Sequence, residues 1–176
     1  MNRAVAFGVL MLAFSAVFQA GSMYEHTEEG AQDLVDQFLE SIRGIDGWGI
    51  FLHNLALALP MFIPGFGAAW GLFAGWSTGF TLSAIVTVNP DLGGMQPLAL
   101  LYLSPFGLME LAAYSLACSR SLLLAIRMRR KQGLRPVLRI TLIEAGIVVA
   151  LLLAGGLVEY YMIEMAREAG LLMPGF

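Results

Sequence analysis

Long apolar runs constrain this chain before any motif does: residues 5–21, 48–62, 66–88, 98–126 and 138–162 carry very few charged side chains. A helix rises about 1.5 Å per residue, so roughly 20 apolar residues cross the hydrocarbon core of a bilayer. Five such runs within 176 residues leave too little polar chain to cover a water-soluble core. Composition agrees, with 58% hydrophobic and 13% charged residues, where globular domains have about 45–50% and 25%. The mean hydropathy is +0.74. The expected fold is therefore all-α, a polytopic helical membrane bundle of five transmembrane spans forming one domain over residues 1–176.

Two runs need comment. Run 48–62 is short and ends at Pro60, Pro64 and Gly65, which suit a tight re-entry and make it a hairpin with run 66–88. Run 5–21, preceded by Arg3, has the layout of a secretory signal peptide, with a cleavage point after Ala20 to consider. Phe18 is a poor fit for the small residue that a signal peptidase prefers two positions before cleavage, and the run is read as a retained anchor.

Orientation follows from lysine and arginine, which favour cytoplasmic loops. Arg127, Arg129, Arg130, Lys131, Arg135 and Arg139 lie between or at the edges of spans four and five, Arg120 just before them, and Arg3 at the amino terminus. Glu25, Glu28, Glu29, Asp33, Asp36, Glu40 and Asp46 fall between spans one and two, Asp91 between three and four, and Glu164 and Glu168 after span five. With five spans, both sets agree on a plasma-membrane protein with its amino terminus inside and carboxyl terminus outside. Between spans one and two, residues 28–45 place Leu34, Val35, Phe38, Leu39 and Ile42 at helical spacing among acids. That pattern predicts an outer amphipathic helix lying on the membrane or on the other spans, as a cover or as a docking surface.

Polar side chains inside the spans are costly and are functional candidates by default. They are His53 and Asn54 in span two, Glu110 in span four, and Glu144 and Glu159 in span five. Glu144 lies near the inner boundary, where Arg139 is expected to pair with it. Glu159 precedes Tyr160 and Tyr161, an interfacial aromatic pattern. Glu110 has no arginine or lysine at its depth. It must be neutral, hydrogen-bonded to Asn54, His53 or backbone, or open to a watery cavity. Pro105 and Gly107 predict a break or kink about one turn before it.

Gly67, Gly71, Gly75 and Gly79 recur every four residues in the third span. Each loses roughly 1 kcal/mol of helix propensity against alanine. In lipid, small-residue faces let helices approach closely and supply packing energy. The partner is span two, span four, or span three of a second subunit.

In order and spacing, these features resemble the family of membrane proteins related to stage II sporulation protein M. The matching stretches are FLHNLALAL (51–59) with Asn54, the glycine series, SPFGLMELAAYSLA (104–117) with Pro105, Gly107 and Glu110, and LLLAGGLVEYY (151–161) with Glu159. Together they cover residues 48–162. Two positions depart: His53 stands where the family commonly has a first asparagine, and Phe106 replaces the histidine of its Pro-His-Gly, so no proton or metal role of that histidine transfers. The resemblance implies a component of a machine that recruits cell-wall hydrolases; the family's occurrence beside ABC-type transporter genes implies a permease-like alternative.

No phosphate-binding glycine loop, no metal-spaced His/Cys/Asp set and no serine with a convincing base is present in the sequence. Cys118 is a single cysteine and excludes an intramolecular disulfide framework. The basic loop needs no nucleic acid to explain it. The reading is a non-catalytic membrane scaffold without cofactor or metal. It contacts the bilayer and either itself, as a dimer, or other membrane proteins, through the glycine face. The alternative is a transporter or channel component with a polar site around Glu110.

Overall fold

The computed structural model describes residues 2–89, 94 and 96–169, all helical apart from short connections. Helix α1 (Arg3–Ser22) is followed by α2 (Glu28–Ile42), α3 (Gly47–Ala58) with a 3-10 turn (Leu59–Phe62), α4 (Phe66–Val88), α5 (Pro97–Leu103), α6 (Pro105–Arg129) and α7 (Arg135–Glu168). Asp91 lies outside the described residues.

Local chemistry sets most of these boundaries. The side chains of Asn2, Thr27 and Asp46 accept hydrogen bonds from the free amides of the first turns of α1, α2 and α3. Gly44 and Gly65 take positive φ, 69° and 81°, at the α2–α3 bend and the entry to α4. The fourth apolar run is two helices. Ser104 is extended, Pro105 begins α6 because its missing N–H is not needed there, and the Ser104 hydroxyl accepts from Gly107 N at 3.1 Å.

Among the described residues four helices, α1, α4, α6 and α7, are long and apolar enough to cross a membrane. The fifth expected span is the short one. Its 12 α-helical and 4 3-10 residues reach roughly 26 Å, a little under a hydrocarbon core of about 30 Å. It bends 115° away from α2, so only the bent pair taken together passes as a span. Helix α7 has 34 residues, about 50 Å, and runs well past what a bilayer needs. The acids expected beyond span five, Glu164 and Glu168, are part of it, Glu164 paired with Arg167.

The bundle is built around α6. Leu111, Ala113, Tyr114, Ala117 and Cys118 are buried there against Phe14 of α1, Phe51 of α3, Met61 of the 3-10 turn and Val148 and Leu152 of α7. The amphipathic α2 lies on α4, with Ala31 and Val35 buried against Ala84 and the acids outward.

The glycine series is covered by the same chain. A Cβ at Gly79 would strike the Phe18 backbone of α1, and at Gly75 the Phe14 ring at 3.1 Å. At Gly71 it would strike Cys118 of α6, and at Gly67 the Met61 backbone. Spans two and four do meet this face, but its main partner is α1, a helix that the glycine spacing by itself does not point to. Gly21 of α1 completes the crossing, because a Cβ there would collide with the backbone of Trp76. Within the chain, α1, α6 and the 3-10 turn thus cover all four glycines.

Candidate functional site

Three helices converge on Glu110. Asn54 of α3, buried, donates from Nδ2 to Glu110 Oε1 at 2.5 Å. One turn further along α6 is the buried Tyr114, and Glu159 of α7 is the neighbouring carboxyl group. The approach of α7 depends on two small residues. A Cβ at Gly156 would come within 3.0 Å of Phe51 N and 3.3 Å of Gly47 O, while Gly155 faces Met109 and the Phe106 carbonyl at 3.6 and 3.7 Å. In the sequence, the signal for this contact is a Gly-Gly pair, Gly155 and Gly156, one turn before the intramembrane Glu159.

His53 stays outside this cluster. It is exposed on the face of α3 beside Leu52, a turn of about 100° from Asn54. Pro105 and Gly107 sit at the α5–α6 break, which is closed locally: Ser104 Oγ donates to Leu100 O at 2.5 Å and accepts from Gly107 N. Ser104 thus takes up one carbonyl and one amide at the break.

A second polar cluster lies toward the α6–α7 loop. Glu144, buried, accepts from Arg120 Nε on one carboxylate oxygen and from Arg3 Nη2 on the other. The expected pair with Arg139 is therefore corrected. Five residues along a helix turn the side chain by about 140°, and Arg139 is exposed while Glu144 points into the bundle. Arg120, read as lying just before the basic loop, is buried nine residues before the end of α6, roughly 13 Å along the axis. Its Nη2 is buried without a hydrogen-bond partner. An arginine inside an apolar run requires a carboxylate at its own depth, which was the missed clue.

At the opposite end, His26 holds the α1–α2 connection onto α4. Its Nε2 lies 2.9 Å from Ser83 Oγ and 3.1 Å from the Phe80 carbonyl, and its ring packs on Phe80. Among the described residues no group of three or more His, Cys, Asp or Glu side chains is arranged to hold a metal ion.

The family model described as Stage II sporulation protein M matches residues 4–162, which takes in all of the features above from Ala4 to Glu159. No curated protein and no solved structure matches the chain.

Proposed function

Because the chain belongs to the Stage II sporulation protein M family, we propose that it is a non-catalytic component of a membrane assembly, acting by holding partners rather than by chemistry of its own. The observation that carries this reading is the closed Asn54–Glu110 contact. An intramembrane carboxyl group costs several kcal/mol unless it is partnered, and here an amide of a neighbouring helix takes that role. The α5–α6 break, an ingredient of many transporter sites, is capped by its own serine. With the glycine face used inside the chain, partner contacts fall to other surfaces, including the acidic face of α2.

The basic loop between α6 and α7, with Arg3 at the same end through Glu144, supports a cell-membrane protein with the amino terminus inside. The acidic α2 then lies outside.

A second reading, a transporter or channel component, draws on the two carboxyl groups Glu110 and Glu159 beside Asn54. Reconstitution in sealed vesicles separates the two. The assembly reading expects proton and potassium permeability equal to that of protein-free vesicles, for both the wild type and Glu110→Gln. A flux carried by the wild type and abolished by Glu110→Gln overturns it in favour of transport.

A further inference from the structure

We propose that a cleft between α2 and the residues joining it to α1 receives an arginine- or lysine-bearing segment of a partner protein. This deepens the assembly reading and rests on it. The cleft has a volume of about 400 Å³ and is lined by Tyr24, Glu25, His26, Asp33, Gln37 and Phe80, at the small end of the range for ligand sites of roughly 300–1,000 Å³.

Its walls combine two kinds of group that attract cations. The Tyr24 and Phe80 rings lie with centroids 4.8 Å apart and tilted by 54°, and Tyr24 is more than half exposed. Glu25 and Asp33 supply carboxylates, and neither is engaged in an ion pair among the described residues. A guanidinium is planar, so it can stack on a ring while its edge donates to a carboxylate.

The site is also held in place before any partner arrives. His26 is fixed to Ser83 and Phe80, Thr27 caps α2 through Gly30 N at 3.2 Å, and α2 is docked by Ala31 and Val35. Rigid walls lower the ordering cost of binding.

Charge favours a peptide over a lipid headgroup as the occupant. Along α2 stand Glu28, Glu29, Asp36 and Glu40, exposed, with Arg43 following its last turn. A basic segment meets several of these acids along its length, and their field steers its approach. A choline or ethanolamine headgroup brings one cation together with a phosphate, which the same acids repel.

The test uses the full-length protein in a neutral maltoside detergent and a fluorescent peptide of alternating arginine and glycine, with a twin carrying citrulline for arginine. The arginine peptide is expected to bind at low salt and the twin not to bind. Tyr24→Ala with Asp33→Asn should weaken binding about tenfold, and Glu164→Gln with Glu168→Gln, at the end of α7, about twofold or less. Tyr24→Phe, which keeps the ring, should retain binding and so show that loss in the first pair is not misfolding. No binding of the arginine peptide, equal loss in both pairs, or displacement of the peptide by phosphocholine overturns the proposal. Absence of peptide binding in a protein that carries no flux removes the cleft and leaves the assembly reading; a flux removes the assembly reading whatever the peptide does.

Discussion

The two polar clusters satisfy buried charge in opposite ways. At one, Asn54 and Glu110 join α3 to α6 by an amide and a carboxyl group, with Glu159 near and no cation in the contact. At the other, Glu144 of α7 sits between Arg120 of α6 and Arg3 of α1. The first cluster has an excess of acid, the second an excess of base, and each pins α6 to different neighbours. The contrast shows that the central helix is fixed at two depths by side-chain pairs of unequal strength. A charged pair in a dry interior loses far more than a hydrogen bond when one partner is removed.

Stability measurements can break this comparison, and the largest effect is expected at Arg120. Arg120→Met strands Glu144 with only the half-exposed Arg3, and should cost about 3–5 kcal/mol in dodecyl sulfate unfolding of the protein in mixed micelles. Adding Glu144→Leu should recover part of that loss, since it removes the stranded charge. A double variant as unstable as the sum of the singles would show that the pair is not coupled.

Asn54→Ala comes next. It leaves the Glu110 carboxyl without its amide, at a cost of about 1–3 kcal/mol in the same titration. If it matched Arg120→Met, the two clusters would not differ in kind. Glu110→Gln keeps the shape and the hydrogen-bonding capacity, and its melting temperature in detergent should stay close to wild type, a loss below about 1 kcal/mol. Collapse of that variant would mean that Asn54 faces a full carboxylate charge.

The smallest effects separate the partners of Glu144. Arg3→Gln, at a side chain 58% exposed, should cost less than about 1 kcal/mol because water screens it. Arg139→Gln should leave the melting curve unmoved. A larger effect from Arg139 than from Arg3 would restore the pairing that residue spacing along α7 first suggested.

How much of this was legible follows from the range of the forces involved. The spans, the amphipathic α2, the break at Ser104 and Pro105, and the need of Glu110 for a partner such as Asn54 all follow from residues within a few turns or from the cost of burying one group. The ligands of Glu144 did not, since Arg3 lies 141 residues away and Arg120, inside span four, was counted among the charges that orient the chain. His53 and Asn54 looked alike in sequence, and only the rotation of α3 about its axis put one in the core and the other outside.

The sequence by itself determined that this protein is a bundle of membrane-crossing helices, which elements compose it and what family it resembles, because hydropathy, proline and capping act locally and each run must bury its own backbone polar groups. Only the tertiary structure decided which faces meet. That choice set α1 on the glycines of α4, Gly156 against Phe51, and Arg120 with Arg3 on Glu144. In lipid, helices are already as apolar as their solvent, so side-to-side association depends on close packing and polar pairing, and these are properties of surfaces brought together from distant parts of the chain.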